Sequence, residues 1–239
     1  MIAFTYGLAC YMFFLSTFLY VVGFTGGFLV PKTIDSGAAV PVAQAVFMNL
    51  ALLSIFAAQH SVMARRSFKR WWTRIVPESI ERSTYVLAAT LALALLVAQW
   101  QPIPEVVWHV EGPAATLMWI VFAIGWGVVL LSTFLIDHFA LFGLKQSASS
   151  LVRRAVQEPE FRTPSLYRYV RHPIYLGFVL TFWSVPTMTA GHLMFSAGGT
   201  AYILLGIMFE ERDLIHQFGD RYRRYREEVG MLLPWRKPS

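Results

Sequence analysis

Six stretches of the chain are nearly unbroken runs of apolar side chains, at residues 4–30, 41–64, 83–100, 115–138, 173–186 and 191–209. A helix that crosses a bilayer needs about 20 mostly apolar residues to cover a hydrocarbon core of about 30 Å. The stretch at 173–186 is the shortest and ends at Pro186; with its successor it predicts a tight hairpin through Thr187, Met188, Thr189 and Ala190. The pattern therefore predicts an all-α integral membrane protein with about six transmembrane helices, or five if the short one crosses only partly. The first run, residues 2–30, has no basic residue ahead of it. It also exceeds the roughly 7–15 apolar residues of a signal peptide, so it reads as a retained helix.

Composition agrees with that reading. Of 239 residues, 56% are hydrophobic and 14% charged, against about 25% charged in soluble domains. The net charge of +6 does not indicate a nucleic-acid partner, because the basic residues sit between apolar spans. Arg65, Arg66, Lys69, Arg70 and Arg74 fill the second connection, and Lys145, Arg153, Arg154, Arg162, Arg168 and Arg171 the fourth. Arg212, Arg221, Arg223, Arg224, Arg226, Arg236 and Lys237 fill the tail, whereas residues 102–113 hold Glu105 and Glu111 and no Lys or Arg. Basic loops stay in the cytoplasm, which places both termini there. Trp71, Trp72, Trp100, Trp108 and Trp235 fall near the predicted interfaces. The single cysteine, Cys10, lies inside the first span, so no disulfide framework exists.

Polar side chains in or beside a span are costly and mark the places to look for chemistry. Four clusters stand out, all on the cytoplasmic side of this topology. The first is Gln59-His60-Ser61 with Arg65 and Arg66, read either as snorkelling interfacial side chains or as a site for His60. The second is Glu81-Arg82-Ser83-Thr84-Tyr85, where helical spacing brings Glu81 and Arg82 near Tyr85. It suits a site, or an ordinary ion pair with Ser79 capping the helix. The third is Asp137-His138, where an acid beside an imidazole supplies a base or a structural pair. If that helix continues, His138, Phe142 and Gln146 share a face. The fourth runs Tyr167-Arg168-Tyr169-Val170-Arg171-His172-Pro173-Ile174-Tyr175-Leu176-Gly177. Pro173 suits a first helical turn, whose amides and positive end fit a carboxylate. Glu210-Glu211 then closes the last span, and Phe218-Gly219-Asp220-Arg221-Tyr222-Arg223-Arg224-Tyr225-Arg226 follows. Carboxylates there suit an ammonium or ribose hydroxyls, and tyrosines suit stacking on a base; in isolation the Arg/Tyr tail also reads as a membrane-surface helix. The six histidines show no pair at ligand spacing on one helix, so no metal site is expected.

Arg171-His172-Pro173 with Tyr175 and Gly177, then Glu210-Glu211, then Phe218-Gly219 with Tyr222 and Tyr225, resemble the isoprenylcysteine carboxyl methyltransferase superfamily. Residues 59–65, Glu81-Arg82-Ser83-Thr84-Tyr85 and residues 137–146 resemble its nurim-like branch, which includes bacterial methanethiol S-methyltransferases and nurim itself. The resemblance implies S-adenosyl-L-methionine as cofactor, bound at the cytoplasmic membrane face by Tyr169, Arg171, His172, Pro173, Tyr175, Gly177, Glu210, Glu211, Tyr222 and Tyr225. It implies one membrane domain in which residues 1–150 form the substrate side and residues 151–239 the cofactor side. The expected reaction is methyl transfer to a small thiol, most simply methanethiol to dimethyl sulfide, in a bacterial inner membrane.

A thiol reacts as its thiolate, so a base or a nearby cation is required. Asp137 orienting His138, with His60, Arg82 and Tyr85, form the expected catalytic set. Two rival readings are carboxyl methylation of a lipidated cysteine and a non-enzymatic nurim-like membrane protein. The topology is testable directly. With Cys10 replaced, single cysteines at positions 138 and 210 should react with an impermeant thiol reagent only from the cytoplasmic side. A cysteine at 105 should react only from the other side, and labelling of 138 and 210 from opposite sides would remove the basis of the methyl-transfer expectation.

Overall fold

A computed structural model describes residues 1–38, 40–149 and 161–234; Arg153, Arg154, Trp235, Arg236 and Lys237 lie outside the described residues. Among the described residues five helices are long and apolar enough to cross a membrane: α1 (Ile2–Gly26), α2 (Val42–Ala64), α4 (Glu78–Gln99), α5 (Gly112–Ile136) and α9 (Ala190–Phe218). The expected fifth span is the short helix α8 (Pro173–Trp183), which has 11 residues. The remaining elements among the described residues are α3 (Arg66–Trp72), β1 (Val106–His109), α6 (His138–Leu141), α7 (Leu144–Ser149), a 3-10 turn (Ser165–Arg168), β2 (Thr187–Thr189) and α10 (Asp220–Glu228). Large apolar side chains such as Phe47, Leu117 and Met208 are exposed, which is the surface a bilayer solvates and water does not. The protein is an all-α membrane protein.

Packing divides the chain into two compact units. Among the described residues the first comprises 1–105, 137–149 and 189–192, and the second 106–136, 161–188 and 193–234.

In the first unit α4 packs against α1 and α2, and α1 against α7. The helix α4 begins at Glu78 behind Pro77, so Ser79 lies within its first turn and does not cap it. At the far end of α4 the chain turns at Trp100, and buried Asn49 takes over the freed backbone. Its Nδ2 donates to Gln101 O at 2.8 Å, and Gln101 N donates to its Oδ1 at 2.8 Å. This satisfies groups that hydrocarbon cannot.

α5 does not continue through His138. Asp137 is extended, and its carboxylate accepts the Ala140 amide at 3.1 Å, capping the new short helix α6. The expected common face of His138, Phe142 and Gln146 is therefore broken by an Asp N-cap, a role for which Asp is strongly preferred. Gly143, with φ 85°, turns the chain from α6 into α7, and a Cβ there would lie 2.6 Å from Ser83 N. Arg82 Nε donates to Leu141 O at 2.7 Å, and Ser83 Oγ donates to Gly143 O at 3.2 Å, so α4 holds this turn in place.

In the second unit α5 crosses α8 backbone to backbone. A Cβ on Gly177 would lie 2.7 Å from Gly125 O and 2.9 Å from Val129 N. Beyond α8, Ser196 Oγ donates to Phe182 O at 2.7 Å and Trp183 Nε1 donates to Thr200 Oγ1 at 2.9 Å, tying α9 to it. The expected hairpin contains a strand, β2, which pairs with β1 from the preceding loop. Val110 N donates to Pro186 O at 3.0 Å, and Trp108 Nε1 donates to Val185 O at 3.2 Å. The β-branched and aromatic run Val106-Val107-Trp108 favours this extended form.

Replacing Gly177 with alanine should destabilise the protein by about 1–3 kcal/mol, because backbone atoms cannot yield as a side chain would. Thermal unfolding in detergent checks this, and an unchanged transition would show that the crossing is looser than described.

Candidate active site: two polar clusters

The second unit holds its ionisable groups around one carboxylate. Glu211, near the end of α9, is buried, and its Oε1 accepts from Arg171 Nε at 2.8 Å. His172 Nε2 lies 3.1 Å from the same oxygen, and Arg226 Nη1 lies 3.9 Å from Oε2. Arg171 Nη1 also donates to the carbonyls of Arg226, at 2.8 Å, and of Val229. One short segment before α8 is thereby fastened both to the end of α9 and to the tail. The backbone adds to this: Arg171 N donates to Gly230 O at 2.9 Å, and His172 N to Met231 O at 3.2 Å. The fork of a guanidinium suits such multiple acceptance. Glu210, on the next residue of α9, is more exposed and lies 3.7 Å from His172 Nδ1.

Beside these ions is an aromatic group. The Phe161 ring lies 5.3 Å from that of Phe218, 5.9 Å from Tyr222 and 5.4 Å from Tyr225. Tyr225 donates to Tyr167 O at 2.5 Å. Burial pushes the Tyr225 phenol up to about 12, with Arg171 opposing and Glu211 adding to the rise. The Tyr167 and Tyr222 phenols are raised by the same burial and then by the carboxylates, Glu210 for the former and Glu211 for the latter. All three therefore remain protonated donors at neutral pH. Among the described residues the Tyr222 hydroxyl has no hydrogen-bond partner, although the residue is only 2% exposed. A buried orphan donor of this kind calls for an explanation.

Other residues of the expected cofactor set stand around this cluster with different surroundings. Pro173 is the first residue of α8, as its sequence position predicts. The ring of Tyr175 lies 5.6 Å from that of His172. Tyr169 is exposed, and Gly177 belongs to the crossing with α5.

The first unit carries the expected catalytic set. Tyr85 hydroxyl lies 3.0 Å from His60 Nε2, and the Arg82 guanidinium sits 4.9 Å from the centre of the Tyr85 ring. Glu81 pairs with Lys69 of α3 at 3.3 Å. Asp137 turns its carboxylate to Lys145 and to the Ala140 amide, and not to His138. Burial raises its pKa, but these two partners outweigh that and hold it below the usual carboxylate range. His138 instead faces Tyr11 of α1, whose hydroxyl lies 2.9 Å from Nε2. Phe142 and Phe139 enclose the imidazole at 4.9 Å and 5.4 Å between rings. Burial lowers the pKa of His138, so it is a neutral proton acceptor at physiological pH.

The NnrU protein family matches residues 48–221. The chain belongs to this family. This NnrU-family chain is 56% identical to methanethiol S-methyltransferase 1 of Bradyrhizobium diazoefficiens over 99% of its own length and 83% of that protein. It is also 56% identical to the methanethiol S-methyltransferase of Mycobacterium tuberculosis, over 96% of this chain and 95% of that one. Nurim of Sus scrofa is 30% identical over 75% of this chain and 70% of nurim, which bears out the nurim-like branch expected from the sequence. No solved structure matches the chain.

Sequence reasoning missed Tyr11 and Phe161, while Tyr167 stood at the head of the fourth cluster without an assigned role. Tyr11 carried one readable signal, a hydroxyl within an apolar span. Phe161 lies in a connecting segment with no periodicity to place it. Substituting Glu211 with alanine would leave buried Arg171 without its counter-charge, which typically costs about 3–5 kcal/mol. The expected outcome is a sharply lowered unfolding temperature for Glu211→Ala and a much smaller loss for exposed Glu228→Ala. Equal effects would deny Glu211 its organising role.

Proposed function

We propose that this NnrU-family protein is an S-adenosyl-L-methionine-dependent methyltransferase that converts methanethiol to dimethyl sulfide at the cytoplasmic face of a bacterial inner membrane. The observation that carries the reading is the 56% identity, over nearly the whole chain, to proteins named methanethiol S-methyltransferase. The 30% identity to nurim gives the non-enzymatic reading less support.

The residues of the second unit suit the donor. When bound, it supplies a methyl group on a positively charged sulfur. Glu210 offers a partly exposed carboxylate to an ammonium or to ribose hydroxyls. Among the described residues the Tyr222 hydroxyl is a buried donor without an acceptor, and Phe161, Tyr222 and Tyr225 form an aromatic group suited to a base. Glu211 holds Arg171 and His172 in position for this.

The residues of the first unit suit the thiol. A small alkanethiol is mostly protonated at neutral pH, since its pKa lies above the value of about 8.5 for cysteine. His138 is buried, neutral and able to take a proton. Arg82 brings a positive charge near Tyr85 and His60, which favours a thiolate there. Because the donor carries its own activation, this chain's contribution is alignment and thiol deprotonation.

Purified protein should bind S-adenosyl-L-methionine in calorimetry and release dimethyl sulfide into the headspace when methanethiol is added. His138→Ala should lower that rate by about 100-fold or more, the usual contribution of a positioned base. Wild-type protein that methylates prenylcysteine analogues and not methanethiol would replace this reading with carboxyl methylation. Absence of cofactor binding would leave the non-enzymatic one.

A further inference from the structure

The Nε2 atom of His138 is covered by another side chain. His138 is 5% exposed, and the Tyr11 hydroxyl lies 2.9 Å from Nε2. The Tyr11 ring meets the imidazole edge-on at 5.7 Å between centres. Phe139 and Phe142 lie against the imidazole, and Phe14 stacks on Phe142 at 3.9 Å. Tyr11 itself is only half-buried. A proton bound for Nε2 therefore arrives most directly through the phenol.

Resting on the methyl-transfer reading, we propose that Tyr11 is a catalytic residue that takes the thiol proton and hands its own to His138 Nε2. In this step the thiol proton moves to Tyr11 Oη while the Tyr11 hydroxyl proton moves to Nε2, leaving a phenol and an imidazolium. The sulfur lone pair so released forms the new bond to the methyl carbon. The bond from that carbon to the donor sulfur breaks, and its electron pair neutralises the sulfonium. The imidazolium then gives its proton to water.

A phenol suits this place because one hydroxyl can accept a proton and donate its own in the same step, so the tyrosine itself ends the step uncharged. The charged groups flanking His138 in the same unit are engaged elsewhere: Arg82 with Leu141 O, and Asp137 with Lys145. Tyr11 is in hydrogen-bond contact with Nε2 and can both give and take a proton.

The test compares Tyr11→Phe, His138→Ala and the double variant. Tyr11→Phe keeps the ring and its packing. Its kcat should fall about 100-fold, with KM for methanethiol changed by no more than about twofold. The double variant should be no slower than His138→Ala, because the two residues act as one unit. With the imidazoles labelled in cofactor-free protein, the His138 nitrogen signals should titrate differently in Tyr11→Phe. Should Tyr11→Phe fold poorly, the wild-type kcat measured across H2O–D2O mixtures should follow a curve that needs two moving protons, and a straight line overturns the relay. An active wild type whose Tyr11→Phe variant keeps its kcat overturns the relay alone. Additive losses in the double variant overturn it as well. A wild type that makes no dimethyl sulfide overturns the underlying function.

Discussion

Hydrocarbon offers no hydrogen bonds, so every polar group on these helices has to be answered from within the protein. Glu211 is where that constraint is most acute. Its carboxylate sits near the end of a 29-residue helix and is answered by Arg171, His172 and Arg226. Arg171 in turn answers the carbonyls of Arg226 and Val229. These bonds determine where the tail runs, and α10 with Tyr222 and Tyr225 follows from that. Removing either partner leaves a buried charge, and replacing the pair by apolar side chains would remove the reason for the tail to return. In the first unit Asn49 performs the neutral version of this task, supplying both a donor and an acceptor to the backbone of Gln101.

The long helices were legible because length and apolarity are additive along the chain and need no tertiary partner. Their ends were less so. Asp137 falls inside an apolar run, yet it caps a new helix, and an Asp followed by a short helical turn is a readable stop and restart. Likewise Pro77 moved the start of α4 ahead of Ser79. The strand pair was hidden because Val106–His109 and Thr187–Thr189 are four and three residues long. Such lengths show no alternation and acquire their form only from each other.

The clusters were legible in part. Arg171, His172, Glu210 and Glu211 were found because charged residues beside spans are conspicuous, and their grouping follows from mutual need. Pairing within the first unit was legible where it followed helical spacing, as for Arg82 over Tyr85, but not between elements. Asp137 and His138 are adjacent in sequence, and adjacency suggested a couple, but neighbours on a chain point apart while the capping geometry sends Asp137 to Ala140 and Lys145. Tyr11, which hydrogen-bonds to His138, lies 127 residues away. No spacing rule connects such a pair; only the packing of α1 beside the turn after α5 does.

The two clusters differ in kind, and the difference bears on the proposed chemistry. Around Glu211 the contacts are between full charges, Arg171 and Arg226 on one side and carboxylates on the other. Around His138 and His60 the nearest contacts are hydroxyl to imidazole, Tyr11 with the first and Tyr85 with the second. A ligand bearing an amino-acid zwitterion and a sulfonium needs charged groups to offset the loss of its hydration. A small thiol brings no charge, and its conversion needs a proton removed without leaving an ion exposed to lipid. Neutral hydroxyl–imidazole pairs meet that second need better than carboxylates do, because they pass a proton along without holding a fixed charge at rest.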